Sequence, residues 1–380
     1  MRILQLGKFY PIRGGVEKVM RDLTEGLSGR GIHCDMLCAM EAPAAADEKD
    51  AGKSSQQDGA TIIRLNDHGR IIIVRALAKK ASTMLSPAMI AYLRKHASGY
   101  DLIHIHHPDP MAALALRLSG YRGRVIVHWH SDILSQKTLL KFYKPLQNWM
   151  LRRAETIVGT SPVYLKESEH LHKFQDKCTC IPIGIEPMVY DAALAAQARA
   201  HYGFEKMIFT VGRLVPYKGL DKLITATGML PDNFGLVIAG DGPLRQTLEN
   251  LSDSLGLTKR IIFAGYMAEG PEFSAMFGAC DAFVLPSVMK TEAFGIVQIE
   301  AMCCGKPVVA TRIPGSGVSW VNKDGVSGLN VPPGNPEALA SAIKEVCDNA
   351  AVYGRGAMDL FAERYTKDKM INKVLELYEQ

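Results

Sequence analysis

Short apolar runs alternate with amphipathic stretches along the whole sequence. A helical stretch near the start, for example, places Val16, Val19, Leu23 and Leu27 on one face. Strands that alternate with helices of ten or more residues predict βαβ units and parallel sheets with helices on both faces. The runs that favour strands lie at 2–6, 33–38, 61–65, 102–106, 125–130 and 156–159, and then at 207–211, 235–239, 260–263, 282–285 and 307–310.

The two series of strands predict two doubly wound domains, because each series spans about half of the 380 residues. The break falls at 181–187, IPIGIEP, where two prolines and a glycine interrupt the pattern. We therefore place the domain boundary after residue 185. Residues 41–60 are small and charged, with almost no large apolar side chain, and predict a surface loop.

The composition, with 47% hydrophobic and 22% charged residues, is that of a globular protein, and the eight cysteines show no zinc or redox spacing. No run approaches the roughly 18–20 apolar residues that span a membrane, so we expect a cytoplasmic protein. Residues 1–190 carry 26 Lys and Arg against 18 Asp and Glu. This excess suggests an anionic partner such as a membrane, a phosphorylated acceptor or nucleic acid, or it reflects an uneven solvated surface.

Residues that directly follow strands are the candidates for a site, because ligands of open α/β sheets bind beyond the carboxyl ends of strands. Gly14 and Gly15 open the first helix, where backbone N–H groups and the helix dipole can bind a phosphate. A structural loop is the alternative explanation. The turn lacks the G-x-G-x-x-G pattern, which disfavours a nicotinamide enzyme.

Two cations follow the first strand of the second series, in the segment FTVGRLVPYKGL. Arg213 comes almost directly after the strand, and Lys218 comes five residues later. Such cations can neutralise the charge that develops on a diphosphate when a sugar departs; the alternative is that they are surface cations. The turn 240–243, GDGP, can place a nucleobase against the backbone or can simply connect a strand to a helix.

The most specific pattern is VLPSVMKTEAFGIVQIEAMCCGKPVVAT. It predicts a strand, a loop that ends at Glu292 and a helix over about 294–303. Glu292 can accept hydrogen bonds from sugar hydroxyls, and Glu300, among apolar neighbours, can bind the two hydroxyls of a ribose. Amides at the helix start can bind hydroxyls or anionic oxygens. These amides belong to Ala293, Phe294 and Gly295.

Histidines follow two strands of the first series. His130 ends an apolar strand and can bind a sugar hydroxyl or orient an acceptor. His128 shares its face, but no third metal ligand is evident and the sequence has no Asp-x-Asp motif, so we predict no metal. A further group is expected to line a polar crevice. It comprises His104, His106 and His107.

These motifs resemble those of glycosyltransferase family 4, the retaining GT-B enzymes. The resemblance runs through nearly the whole chain, from GGVE through GRLVPYKG and AGDGPL to EAFGIVQIEAMCCGKPVVAT. It implies an α/β, GT-B fold of two facing Rossmann-like doubly wound domains with an interdomain cleft. It also implies a C-terminal helix over 362–378 that crosses back to the first domain. The expected divisions are therefore 1–185, 186–361 and 362–380.

The resemblance also implies roles for the second domain, which would bind a nucleotide-sugar donor. Arg213 and Lys218 would hold the pyrophosphate of the donor. Glu300 would bind the ribose and Glu292 the transferred sugar, whose hydroxyls would also meet the amides of 293–295.

In the first domain, the resemblance implies that Gly15 approaches the phosphates and that His130 is the active-site histidine. The implied reaction retains the anomeric configuration and needs no divalent metal or other cofactor. The departing phosphate would help to deprotonate the acceptor. One departure is Ile183-Gly184, where family members commonly have Asn-Gly.

The acceptor is suggested by residues 135–153, SQKTLLKFYKPLQNWMLRR, which predict a basic amphipathic helix. Such a helix suits an anionic membrane that carries a lipid-linked acceptor, although a helix with an ordinary core face is the alternative. We expect a hexosyltransferase that extends a glycan or polyprenyl-pyrophosphate-linked acceptor in surface polysaccharide synthesis. GDP-mannose is the first candidate donor, and UDP-linked glucose or N-acetylglucosamine are alternatives.

Two other classes of function compete with this hypothesis. One is a GT-B-fold epimerase or hydrolase that acts on a sugar nucleotide, and the other is a sugar-nucleotide sensor without enzymatic activity. A nucleic-acid partner is not expected, because no matching motif accompanies the basic first half.

Overall fold

The computed structural model describes residues 1–41, 54–80, 83–134 and 137–380. The strands are β1 (Arg2–Phe9), β2 (His33–Met40), β3 (Ser54–Gln57), β4 (Ala60–Asn66), β5 (Gly69–Arg75), β6 (Ala78–Lys80), β7 (Thr83–Leu85), β8 (Leu102–His107), β9 (Arg124–Trp129), β10 (Thr156–Gly159), β11 (Cys178–Cys180), β12 (Lys206–Val211), β13 (Phe234–Ala239), β14 (Ile261–Gly265), β15 (Ala282–Leu285), β16 (Val308–Thr311) and β17 (Gly328–Val331). The helices are α1 (Gly15–Ser28), α2 (Pro87–His96), α3 (Pro110–Ser119), α4 (Lys137–Arg153), α5 (Pro162–Glu167), α6 (Ala192–Tyr202), α7 (Leu220–Gly228), α8 (Arg245–Ser254), α9 (Pro271–Ala279), α10 (Ile296–Cys303), α11 (Val318–Val321), α12 (Pro336–Asp348), α13 (Ala350–Arg364) and α14 (Lys367–Glu379).

The chain divides into two compact units. The first comprises Met1–Ile183 and Lys367–Gln380, and the second comprises Gly184–Thr366. The division after Ile183 lies inside the IPIGIEP segment. The first unit is discontinuous in sequence, because its last helix follows the whole of the second unit.

The first unit is built on a nine-stranded sheet with the order β11-β10-β9-β8-β1-β2-β5-β4-β3. The strands from β11 to β5 are parallel, whereas β4 pairs antiparallel with both β5 and β3. Every residue of β8, LIHIHH, is buried, including its three histidines.

The antiparallel end of this sheet corrects the prediction of a loop over 41–60. Residues 42–53 lie outside the described part of the chain, but Ser54–Gln57 form β3 and Ala60 is buried at the start of β4. Asp58 and Gly59 connect the two strands in a two-residue hairpin turn. Such a turn requires positive φ at both residues, and the values here are 53° and 76°.

The second unit has a six-stranded sheet, all parallel, in the order β14-β13-β12-β15-β16-β17. Counted within the unit, this is the 3-2-1-4-5-6 order of the Rossmann fold. Each residue of β13 is buried, as expected for a parallel strand with both faces covered. The parallel sheet of the second unit and the mostly parallel sheet of the first confirm the predicted α/β class of two Rossmann-like domains.

The C-terminal segment forms two helices where the sequence suggested one over 362–378. Helix α13 ends at Arg364 and α14 begins at Lys367. Helix α14 packs in the first unit, where Lys367 pairs with Asp22 at 3.0 Å and Asp368 with Arg30 at 2.8 Å. Among the helices that the structure describes, none is long and apolar enough to cross a membrane.

Candidate functional site

The strand order of the second unit reverses at β12. Strands β13 and β14 lie on one side of β12, and β15 to β17 lie on the other. Ligands of doubly wound sheets bind beyond the carboxyl ends of the strands at such a switch point. The loops that leave β12 and β15 there contain Arg213, Lys218 and Glu292.

The loops after β12 and β15 are in direct backbone contact. Val288 donates its amide to the carbonyl of Tyr217 at 2.8 Å. Gly219 has φ of 64°, and a Cβ atom there would lie 2.3 Å from the carbonyl oxygen of Pro286, so only glycine fits. A small pocket opens at this contact. It is lined by Thr210, Val211, Gly212, Arg213, Lys218, Leu220, Leu285 and Pro286.

Lys218 and Glu292 meet across the two loops. The Nζ atom of Lys218 lies 2.6 Å from Oε2 of Glu292, and the two side chains are 11% and 12% exposed. Burial alone would lower the pKa of Lys218, but the neighbouring Glu292 carboxylate outweighs this, and the pKa of Lys218 is raised. The ammonium group is therefore charged and held at the switch point.

Glu292 is also fixed by its own loop. Ser287 donates to Glu292 Oε2 at 3.0 Å, and the Ser316 hydroxyl donates to the Glu292 carbonyl. Arg213 on the opposite loop is exposed and forms no salt bridge within the described residues. Lys218 and Ser287 thus orient the Glu292 carboxylate, and the exposed guanidinium group of Arg213 can bind an anion.

The helix after Glu292 begins two residues later than predicted. Gly295 adopts φ of 75°, which is outside the helical region, so α10 begins at Ile296. No backbone hydrogen bond in the described part of the chain uses an amide of the preceding residues as donor, so these N–H groups can bind a ligand. The residues are Ala293, Phe294 and Gly295.

Glu300 lies within α10 and is 7% exposed. The hydrogen bonds of Lys218 and Glu292 to other described residues do not involve it. Glu300 is therefore not a part of the ion pair, although it lies on the helix that follows the Glu292 loop.

The turn at 240–243 packs against the loop after β12. A Cβ atom on Gly240 would lie 2.0 Å from the Gly212 carbonyl oxygen, and one on Gly242 would lie 2.6 Å from that of Leu214. Leu214 also donates its amide to the Asp241 carbonyl at 3.0 Å. The close approach of two backbones explains both glycines, which favours the connecting role that the sequence left open.

In the first unit, a carboxylate of the first turn lies at the start of α1. Gly15 is exposed, and the side chain of Glu17 in the first turn is folded back so that a Cβ atom on Gly14 would lie 2.2 Å from its Oε2. A carboxylate at a helix N-terminus is favourable. A phosphate at Gly15 would therefore have Glu17 as a neighbour.

His130 belongs to a buried chain of hydrogen bonds. Its Nε2 atom lies 2.9 Å from Nδ1 of His106, and Nε2 of His106 lies 2.8 Å from Oε1 of Gln5. The amide nitrogen of Gln5 donates to the Tyr378 hydroxyl at 3.1 Å, and this hydroxyl also bonds to Nδ1 of His104. The chain joins residues of β1, β8 and α14 to His130, which directly follows β9.

Five buried histidines belong to this chain or lie close to it, and burial is the main cause of their low pKa values. The pKa of His128 falls to about 3, and the pKa values of the other four fall well below the ordinary value, with further lowering from neighbouring histidines or Lys8. All five imidazoles are therefore neutral at neutral pH. They are His104, His106, His107, His128 and His130.

Three of these histidines could be considered as metal ligands. One ring nitrogen from each of His104, His106 and His128 lies within 4.8 Å of the others. However, both ring nitrogens of His106 are already bonded, to His130 and Gln5. His104 and His128 each retain a ring nitrogen that has no hydrogen-bond partner among the described residues.

Sequence reasoning missed Lys8, which follows Gly7 at the end of β1 with φ of 63°. Its Nζ atom donates to the Pro108 carbonyl at 2.6 Å, and its amide donates to the Asp109 carboxylate at 2.5 Å. Burial lowers the pKa of Lys8, although Asp109 and Glu17 counteract this. The signal available in the sequence was a lysine directly after the apolar first strand.

The predicted basic helix is present as α4, although residues 135 and 136 lie outside the described part of the chain. Lys141, Phe142 and Lys144 are exposed, and Phe142 is 81% exposed. This face adjoins a pocket of about 390 Å³ whose walls are almost entirely apolar. The pocket is lined by Lys80, Thr83, Leu85, Pro110, Met111, Leu114, Ile133, Leu140, Phe142, Tyr143 and Leu146.

Solved structures show the same fold. The structure of Anabaena Alr3699/HepE in complex with UDP matches this one with a TM-score of 0.75 at 22% identity, over 100% of both chains. This likeness shows the class of fold, which is the GT-B fold of two Rossmann-like units.

Sequence comparisons identify the family. The model of Glycosyltransferase Family 4 matches residues 13–188, and that of Glycosyl transferases group 1 matches residues 194–356. The O-antigen chain mannosyltransferase C of Escherichia coli is 33% identical over 100% of this chain and 98% of its own. The D-rhamnosyltransferase WbpZ of Pseudomonas aeruginosa is 30% identical over 96% of this chain and 92% of its own. The chain belongs to glycosyltransferase family 4, as its motifs predicted.

Proposed function

We propose that the protein transfers mannose from GDP-mannose to a glycan or polyprenyl-pyrophosphate-linked acceptor in surface polysaccharide synthesis. The two bacterial relatives are named for the transfer of mannose and of D-rhamnose, which is 6-deoxy-D-mannose. Both sugars carry an axial 2-hydroxyl, which supports a donor with the manno configuration. UDP-linked glucose and N-acetylglucosamine are the alternative donors.

The observation that carries the proposal is the ion pair between Lys218 and Glu292 at the switch point. Lys218 and Arg213 would neutralise the diphosphate as it leaves, and Glu292 with the amides of 293–295 would bind the hydroxyls of the sugar. Glu300 would bind the ribose. In this proposal the departing phosphate takes the proton of the acceptor, the anomeric configuration is retained and no metal is required.

We extend the proposal to two residues of the first unit on the basis of the family resemblance. Gly15 would contact a phosphate of the donor through its backbone amide. His130 would accept a hydrogen bond from a hydroxyl of the sugar or acceptor, because its imidazole is neutral.

The test is an incubation of the full chain with labelled GDP-mannose, UDP-glucose or UDP-N-acetylglucosamine, with and without a polyprenyl-pyrophosphate-linked acceptor. We expect acceptor-dependent transfer from GDP-mannose, with an α-linked product by NMR, and no loss of rate in EDTA. An epimerised donor formed without acceptor would instead support the epimerase hypothesis. Donor binding that survives Lys218→Ala and Glu292→Gln, without any turnover in the parent protein, would indicate a sensor.

For the lipid part of the acceptor, we propose the apolar pocket beside α4 as the binding site of the polyprenyl chain. Its volume of about 390 Å³ is sufficient for a few isoprene units, and exposed Lys80, Lys141 and Lys144 supply the charge that an anionic pyrophosphate or membrane requires. The basic excess of residues 1–190 has the same sign.

Co-sedimentation with vesicles that contain anionic lipid tests this surface. We expect binding that falls with salt and that is weakened by Phe142→Ser and by Lys141→Ala with Lys144→Ala. The matched control is Val352→Ser, which removes an apolar side chain that is 71% exposed in the second unit. Binding that depends on neither the lipid charge nor Phe142 would contradict the proposal.

A further inference from the structure

We infer that the hydrogen-bond chain from Tyr378 through Gln5 and His106 sets the tautomer of His130, with the proton on Nε2 and the lone pair on Nδ1. Gln5, His106 and Tyr378 are thus positioning residues that act through His130. The catalytic consequence rests on the proposed function, in which the sugar or acceptor bonds to His130. The tautomer itself does not rest on that function.

The direction of each bond follows from its partners. The Oε1 atom of Gln5 can only accept, so Nε2 of His106 carries a proton and donates to it. A neutral imidazole has one N–H group, so Nδ1 of His106 is an acceptor. Nε2 of His130, 2.9 Å away, must then carry the proton of that bond, which leaves Nδ1 of His130 unprotonated.

The orientation of the Gln5 amide determines this direction. Its nitrogen faces two groups, the Tyr378 hydroxyl at 3.1 Å and the Cys34 sulfur at 3.7 Å, and its oxygen faces His106. The Tyr378 hydroxyl, which accepts from Gln5, donates in turn to Nδ1 of His104. The side chains of Gln5, His104 and Tyr378 are fully or almost fully buried, so water does not compete for these hydrogen bonds.

His130 is the end of the chain that a substrate can reach. It is 6% exposed, whereas Gln5, His104 and His106 have no exposed surface. A hydroxyl group of the substrate could therefore donate to Nδ1 of His130. If the chain were reversed, Nδ1 would carry a proton and would repel a donor hydroxyl from the same position.

The decisive experiment is NMR of the full chain with ¹⁵N-labelled imidazoles, in which correlations between ring nitrogens and carbon-bound protons distinguish the two tautomers. The His130 signal is assigned by its loss in His130→Gln. We expect the Nε2–H tautomer in the parent protein and in Gln5→Glu, because a carboxyl oxygen still accepts from His106. In Gln5→Met we expect a mixture of both tautomers. An Nδ1–H form in the parent protein, or an unchanged tautomer in Gln5→Met, would overturn the inference.

Kinetics supply the second measurement. Tyr378→Phe, which acts at the far end of the chain and preserves the packing of the ring, should lower kcat about tenfold, the equivalent of one lost hydrogen bond, with little change in the KM for the donor. The matched control is Tyr121→Phe, which removes a hydroxyl that bonds to the Tyr100 carbonyl in the same unit. Equal kcat values for the two variants would count against a positioning role. If no donor supports turnover and NMR nevertheless shows the Nε2–H tautomer, the proposed function fails and the tautomer assignment stands.

Discussion

Mild acid should unfold the first unit, because five histidines are buried there as neutral imidazoles. Each has a folded-state pKa below the ordinary value of about 6.5, with burial as the main cause. The unfolded chain therefore binds more protons than the folded one below pH 6.5. The stability from these groups is fully present above that pH and is lost as the pH falls toward the folded-state pKa values.

The size of the effect follows from linkage. A histidine that stays neutral in the folded state and titrates at about 6.5 in the unfolded state costs about 1.4 kcal/mol between pH 7.5 and 5.5. Five such groups cost up to about 7 kcal/mol, which is comparable to the whole stability of a domain. Asp22 and Asp109, whose pKa values are raised by burial, offset a part of this loss.

The assay is urea unfolding at pH 7.5 and pH 5.5, followed by tryptophan fluorescence. Trp129 and Trp149 lie in the first unit and Trp320 in the second, so a Trp320→Phe background reports on the first unit alone. We expect the free energy of unfolding in that background to fall by several kcal/mol between the two pH values.

His128→Leu tests the origin of the pH dependence. Both ring nitrogens of His128 lack a hydrogen-bond partner among the described residues, so its replacement leaves no other group unsatisfied. The variant should remove about 1.4 kcal/mol of the pH-dependent loss, and His172→Gln, at an exposed position of the same unit, should remove none. A first unit equally stable at both pH values would refute the reasoning.

Three further predictions concern the second unit and the reaction. Lys218→Ala or Glu292→Ala should lower turnover at least about a hundredfold in the labelled-donor assay, because each removes a group that stabilises the charge of the transition state. The control Lys222→Ala removes an exposed ion pair with Asp221 and should change turnover less than about twofold. Gly219→Ala should lower the free energy of unfolding of the second unit by more than about 2 kcal/mol in urea, since the new Cβ atom meets the Pro286 carbonyl. The control Gly203→Ala has φ of 69° but nothing within 4 Å of the Cβ position, and it should cost only about 1 kcal/mol. Removal of divalent ions by EDTA should leave turnover within about twofold, as expected if Lys218 and Arg213 alone carry the charge of the leaving group; a rate restored only by Mg²⁺ or Mn²⁺ would contradict this.

Most of the parallel strands were predicted because their residues are largely apolar. Strand β5, GRIIIVR, was missed although it contains such a run and pairs parallel with β2. Some strands at the edges of the sheets were harder to predict. Strand β3, SSQQ, is exposed at every position, and the pairing of its backbone with β4 is what holds it in place. The Asp58-Gly59 pair was the local signal for that hairpin. Strand β17 was missed because Asn330 interrupts a run of only four residues.

The sequence predicts that Arg213, Lys218 and Glu292 follow strands. It does not show which of those strands are neighbours in the sheet. The 2.6 Å contact of Lys218 with Glu292 depends on β12 lying beside β15, which only the sheet order supplies. The chain of bonds to His130 was harder to foresee, since Gln5 and Tyr378 are 373 positions apart. No periodicity or motif carries information over that separation.

The discontinuous first unit has a consequence for biosynthesis. Residues 367–380 are synthesised after the whole of the second unit, so Tyr378 can reach Gln5 only after Gly184–Thr366 has been made. The second unit, which is continuous from Gly184 to Thr366, can complete its sheet before that moment. During translation the N-terminal sheet therefore lacks the contacts of α14, including the bond of Tyr378 to Gln5 in β1, until the second unit has been synthesised.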